Sequence, residues 1–237
     1  MKTITFAMLS FMIFGASLIL TGCSKDETTS KNETSKKNEA TSNKQTTATQ
    51  NTTSTTNVPA GTKKTVDPTS SELFWEGKKV TGKHNGTVKI KAGDVYVDND
   101  KITGGSFDID FTTINVLDLK DAEMNAKLVS HLKSDDFFSA GSHPVGKFVI
   151  SSVEPMTDDK GNNMKINGSL TIKGITNPVS FPAKVSVAEG KLNAAANFKI
   201  DRTLWDIKFR SGKFYENLGD NLISDDFQIK LNLVAGA

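Results

Sequence analysis

The sequence predicts an all-β fold, and three observations carry that prediction. Apolar and polar residues alternate with period two over many short segments, clusters of Gly, Asp and Asn separate those segments, and one stretch alone carries a helical stripe. A strand with one apolar face and one wet face needs a second layer, or closure on itself. Alternation does not distinguish the two, so a barrel and a two-sheet sandwich both remain open here.

The elements follow in chain order. Val88 with Ile90, then Val95 with Val97, open the series, and Phe107, Ile109 and Phe111 alternate with Asp108 and Asp110. Between Asp121 and Leu132 the period changes: Met124, Leu128, His131 and Leu132 stand at i, i+4, i+7 and i+8. That spacing predicts a single helix closing one end of the sheet structure, with His131 donating a hydrogen bond to backbone. Period two then resumes in the pairs Phe148/Ile150, Leu170/Ile172 and Val179/Phe181. It runs longest in Leu192, Ala194, Ala196, Phe198 and Ile200, and in Phe227, Ile229, Leu231 and Leu233. Turns are expected at Ala92-Gly93-Asp94, Asp98-Asn99-Asp100, Asp158-Asp159-Lys160-Gly161 and Glu189-Gly190.

The N-terminal quarter has a different character. Lys2, a brief apolar run and small residues before Cys23 predict a secretory signal peptide over 1–22, too short for a stable membrane span. Leu20-Thr21-Gly22-Cys23 resembles the lipobox of bacterial lipoproteins, which implies diacylation of Cys23, the lone cysteine, and a membrane partner. Residues 23–66 are rich in Thr, Ser, Asn and Lys, and after Cys23 they lack aromatics, Leu, Ile and Met. Such a segment cannot offset its conformational entropy and is expected to be a disordered linker. Ser24-Lys25-Asp26-Glu27 reads either as a solvated cluster or, by resemblance, as a signal for the cell surface. The expected location is the cell envelope, at the outer membrane on its periplasmic side or the surface. Residues 67–237 are left for one domain with a sizeable core.

A formal charge of +2, two arginines and no basic block argue against a nucleic-acid partner. With Cys23 assigned to lipid, no disulfide or thiol chemistry is expected. His84, His131 and His143 lack metal-ligand spacing, so no metal and no cofactor is expected. A G-x-S-x-G elbow is missing, and Asp108 and Asp110 read as solvated charges, so no catalytic set is expected either.

Several motifs resemble the YceI-like proteins. They are His131-Leu132-Lys133-Ser134-Asp135-Asp136-Phe137-Phe138, then His143-Pro144 and Lys147-Phe148, then the run from Ile166 to Val179. Trp75 with Gly82-Lys83-His84-Asn85-Gly86, and Ile223-Ser224-Asp225-Asp226-Phe227, extend the likeness across the domain. Asn177 departs from the usual Lys, and His143 from a frequent Tyr. The resemblance implies a lipocalin-like extended antiparallel β-barrel of about eight strands that binds a polyisoprenoid or similar long-chain lipid and is not an enzyme.

A barrel of that size can hold one slender chain, and its wall would be the inward apolar set. Val88, Ile90, Phe107, Ile109, Phe111, Phe148, Ile150, Leu170, Ile172 and Leu231 are the candidate lining. Gly168, Ala194 and Ala196 either leave the bore open or serve tighter packing. If the ligand carries a phosphate or quinone head, Arg202, Lys208 and Arg210 are the candidate contacts at the mouth; snorkelling surface cations are the alternative. The expected function is a membrane-anchored lipid carrier; the alternative is a surface lipoprotein whose packed barrel serves an interaction or structural role. Oligomeric state is not legible.

Overall fold

Backbone pairing closes the alternating segments into a ring. The computed structural model describes residues 58–236. The expected signal peptide, the acylated Cys23 and most of the linker lie outside the described residues. Nine strands follow in order: β1 (Thr62–Val66), β2 (Glu72–Lys79), β3 (Gly82–Asp98), β4 (Lys101–Asp110), β5 (Val145–Pro155), β6 (Met164–Ile172), β7 (Ile175–Ala188), β8 (Lys191–Asp201) and β9 (Ile223–Gly236). The helix α1 (Ala122–Lys133) lies between β4 and β5.

All pairings are antiparallel, and the sheet runs β3-β2-β9-β8-β7-β6-β5-β4 before β4 returns to β3. The barrel therefore has eight staves, with closure removing the free edges a sheet would otherwise expose. β1 and β2 share one stave: Thr65 sits opposite Asp94 and Gly236, while Leu73 sits opposite Val88 and Leu231. Between them the chain loops out at residues 67–71. The Asp67 carboxylate accepts from the backbone and hydroxyls of Thr69 and Ser70, which hold it well below the usual carboxylate range. The domain thus begins before the compositional boundary at Asp67, because Lys64 and Val66 are buried and β1 is part of the wall.

Three two-residue hairpins have both central residues at positive φ: Asn99-Asp100 (47° and 61°), Lys173-Gly174 (51° and 74°) and Glu189-Gly190 (51° and 76°). This is the turn that matches strand twist. The expected turn at Ala92-Gly93-Asp94 is absent; those residues run through the middle of β3, where the register slips between Ile90 and Ala92. Gly93 is there for close approach: a Cβ would lie 2.7 Å from the Ser106 carbonyl oxygen.

The barrel has two unlike ends. One carries the tight turns Asn99-Asp100 and Glu189-Gly190 and the start of β1. The other carries two long connections, residues 111–144 with α1 and residues 202–222. Asp121 caps the N-terminus of α1, its side chain accepting from the Met124 N–H. Its packed face is Leu128, Val129 and Leu132; Met124, expected on that face, is exposed. His131 pairs through Nε2 with Asp136 at 2.9 Å, where a backbone partner was expected. His131 and Phe137 meet Phe209 edge-on or tilted, and Lys173 donates to the Asp135 and Asp206 carbonyls. The two connections are thereby joined to each other and to the β6–β7 turn.

Candidate functional site

Inside the barrel lies a chamber of about 90 Å³ toward the long connections. Apolar residues alone line it: Leu73 and Trp75 of β2, Val88 and Ile90 of β3, Phe107 and Ile109 of β4, Phe148 of β5, and their equivalents around the ring. Phe111, Ile114 and Phe138 from the first long connection contribute too. A second, smaller chamber of about 30 Å³ lies toward the tight turns. Phe107, Phe148, Phe181 and Leu231 line both, so these four side chains form a waist between them.

The waist is built from cross-strand aromatic pairs. Phe107 and Phe148 face each other in register and stack at 5.6 Å between centroids. Phe148 meets Phe181 at 5.6 Å, and Phe181 stacks on Phe198 at 4.1 Å. Between Phe148 and Phe181 lies β6, where Gly168 has no side chain. A Cβ at Gly168 would fall 2.4 Å from Phe148 Cζ, so this glycine seats a ring and does not widen the bore. Ala194 and Ala196 line the smaller chamber.

The interior is not filled. Phe107, Ile109, Leu73, Phe198, Phe227 and Leu231 point inward yet keep some accessible surface, whereas Val95, Leu192 and Ala235 are sealed. An apolar space of this kind repels water and suits an apolar guest.

Nine of the ten expected lining residues surround the larger chamber: Val88, Ile90, Phe107, Ile109, Phe111, Phe148, Leu170, Ile172 and Leu231. Ile150 lines the smaller one. Sequence reasoning passed over Trp75, Ile114, Phe138, Val179, Phe198 and Phe227. Phe198 and Phe227 were legible as period-two neighbours of named residues. Ile114 and Phe138 stand on an irregular connection, where no periodicity points inward.

Arg202, expected as a head-group contact at the mouth, is instead a structural anchor. It is buried, its guanidinium donating to the carbonyls of Ile207 (2.7 Å), Ser224 (3.0 Å) and Ile223 (3.1 Å), with Asp225 at 3.7 Å. Burial pulls its pKa down, while Asp225 and Asp201 oppose that. It anchors the β8–β9 connection. Lys208 and Arg210 are exposed on that connection: Lys208 pairs with Asp206 and lies over Phe214, and Arg210 lies over Phe209. Trp205 is buried beside them, its indole donating to the Leu170 carbonyl at 2.9 Å. His84 pairs with Asp118 at 2.8 Å, and His143 lies against Gly174.

A closed antiparallel barrel with one helix and an apolar interior defines the lipocalin-like class. Within it the YceI-like domain family matches residues 65–235, and this chain belongs to that family. The UPF0312 proteins of Shewanella denitrificans and Shewanella oneidensis are similar, at 36% identity over 100 residues and 34% over 101. Each match covers 42% of this chain and 47% or 48% of the relative, so the chain spans about half the length of the curated relatives it matches. Among solved structures, BcnA of Burkholderia cenocepacia superposes with TM-score 0.56 at 24% identity, covering 72% of this chain and 99% of that one. A polyisoprenoid binding domain from Saccharophagus degradans superposes with TM-score 0.54 at 12% identity, covering 73% and 98%. Both likenesses show the shared fold.

Proposed function

We propose that this protein binds a long-chain apolar lipid of the polyisoprenoid kind in the larger chamber and carries it at the cell envelope. The observation that supports this reading most is the chamber itself, with every lining side chain apolar. Affinity would come from burial, at about 25 cal/mol per Å² of apolar surface, less the cost of ordering a flexible chain. The polyisoprenoid binding domain of Saccharophagus degradans, which shares the fold, agrees with this choice of ligand. A packed barrel serving only as an interaction scaffold would need a filled interior. An enzyme would need reactive groups in the chamber wall, and the wall offers a nucleophile, acid or base at none of its lining positions.

The chamber of about 90 Å³ is smaller than the roughly 300–1,000 Å³ that drug-sized ligands occupy. Even joined, the two chambers of about 90 and 30 Å³ fall short of that range, so entry of a lipid chain would require the waist phenylalanines to rotate and the surrounding wall to move outward. Leu117, Met124, Leu204, Phe214 and Tyr215 are exposed on the two long connections, a set suited to contact with a lipid surface. β1 begins at the opposite end of the barrel from these connections. The interval from Cys23 to Val58 can reach on the order of 120 Å when extended, enough to let the long connections face the membrane.

The test is mass spectrometry of lipids extracted from the purified full chain, followed by titration of delipidated protein with geranylgeraniol. Co-purified prenyl lipid and saturable binding are expected. A barrel that is empty in every preparation and has no affinity for a prenyl chain overturns the proposal.

A further inference from the structure

Exposed apolar side chains are not spread evenly over this barrel. Among the described residues ten large hydrophobic side chains are exposed, and eight of them stand at the end that carries the long connections. Leu117 and Met124 lie on the first connection, and Leu204, Phe214 and Tyr215 on the second, each between 49% and 54% exposed. Val80 lies in the β2–β3 turn, where its N–H donates to the Leu222 carbonyl of the second connection at 3.3 Å. Val145 and Ile175 open β5 and β7 at the same end. Of the remaining two, Val58 precedes β1 and Val149 sits midway along β5.

The opposite end is a water-facing rim on the same scaffold. Its turn segments are Asp98-Asn99-Asp100-Lys101, Asp158-Asp159-Lys160-Gly161 and Glu189-Gly190-Lys191, and none of these residues has an apolar side chain. Single exposed hydrophobics are common on protein surfaces, whereas a group gathered on one rim marks a contact surface.

Two features say what covers that surface. The larger chamber lies beneath it, with Phe111, Ile114 and Phe138 of the first connection in its wall. An apolar guest leaving the chamber here would meet water unless the rim rested on an apolar medium. The second feature is charge. Lys208 pairs with Asp206, Lys213 with Asp201 and Asp225, and Lys127 with Glu123, while Lys173 donates to two backbone carbonyls. Such a rim offers apolar area with its main charges already partnered, which suits the boundary between headgroups and acyl chains. Tyr215 adds an amphipathic ring of the kind enriched there.

We propose that this end of the barrel docks on a lipid bilayer. Leu204, Phe214 and Tyr215 enter the interface, and the larger chamber exchanges its lipid with the bilayer at that contact. The exchange rests on the lipid-binding reading, which the inference deepens by naming the surface from which the ligand is taken. Apolar burial drives the docking, so anionic lipid is not required and added salt has little effect.

The experiment mixes the full chain carrying Cys23→Ser, which cannot be acylated, with phosphatidylcholine vesicles and follows hydrogen exchange. Residues 202–222 and the segment around Leu117 and Met124 are expected to gain protection, and the turns at 98–101, 158–161 and 189–191 are not. Leu204→Gln combined with Phe214→Gln, both at exposed positions and checked by thermal melt, is expected to abolish that protection. The same pair is expected to slow geranylgeraniol transfer from vesicles by about tenfold or more, while Val149→Gln changes neither readout. Added phosphatidylglycerol, or salt at about 1 M, is expected to leave the protection in place. Vesicle adsorption without protection of 202–222 overturns the inference, as does a requirement for phosphatidylglycerol. Protection that grows with protein concentration in the absence of vesicles also overturns it, since a second copy would then cover the rim. If the rim docks but geranylgeraniol never binds, the docking stands and the lipid-binding reading falls.

Discussion

The two halves of the barrel interior share the same staves and the same period-two pattern, yet they solve opposite problems. Toward the tight turns, Ala183, Leu192, Ala196, Leu233 and Ala235 are buried, and about 30 Å³ remains. Toward the long connections the wall is richer in phenylalanine, several inward residues keep accessible surface, and about 90 Å³ remains. Small side chains accompany the tighter half and large rings the roomier one. Rings that stack with their neighbours along the wall cannot also fill the centre, whereas alanines among branched aliphatics can close-pack. Side-chain size at single positions is thus a poor guide to where a bore lies.

Five substitutions, in four tests, would break or sharpen this contrast. The largest effect is expected from Phe148→Ala, which removes a ring common to both chambers. Stability should fall by about 3–5 kcal/mol in denaturant titration, and the bound lipids should shift to longer chains as the chambers merge. An unchanged chain-length preference would show that the waist separates nothing. Next comes Arg202→Met, which leaves three carbonyls and Asp225 without their buried cation. A loss of about 3 kcal/mol is expected by thermal melt, with lipid affinity kept in the folded fraction; lost affinity at unchanged stability would restore Arg202 as a ligand contact.

A paired test of the two chambers follows. Ala196→Leu should cost about 1–3 kcal/mol through overpacking of the smaller chamber and weaken geranylgeraniol binding, because the chain needs room on both sides of the waist. Ile109→Trp, filling the larger one, should abolish that affinity in the same titration. The smallest effect concerns pH. Burial raises the Asp201 pKa, but the Lys213 ammonium and the Thr203 hydroxyl outweigh it and hold the carboxyl below its usual range, and Lys213 is raised in return. A depressed carboxylate contributes stability that is complete above its unfolded pKa of about 3.9 and disappears as pH falls through the folded value. Acid titration of the melting temperature should show that loss, and Asp201→Asn should flatten it.

Much of the fold was legible because half-buried strands repeat every two residues, as in β8 from Leu192 to Ile200 and β9 from Phe227 to Leu233, although the buried Ala235 near the end of β9 was not read. β1 was missed because Thr62–Val66 shares the Thr/Lys composition of the preceding segment, and only pairing with β3 reveals it. β2 was missed as a strand because Leu73, Phe74 and Trp75 are consecutive and show no alternation. Gly93 imitated a turn while serving a close strand approach. Arg202 looked like a surface cation because its partners are backbone carbonyls, which carry no sequence signal. The lining was legible from period and the cap residues were not, since Ile114 and Phe138 are placed by tertiary contacts alone.

The stave split between β1 and β2 sets a limit on where this domain can be cut. Trimming the chain at Asp67, where composition changes, would strip the partner from Asp94 through Val97 and uncover Val66's berth in the wall. The result would be a notch of naked amide and carbonyl groups in an otherwise seamless cylinder, an invitation for a strand from a neighbouring molecule to slot in.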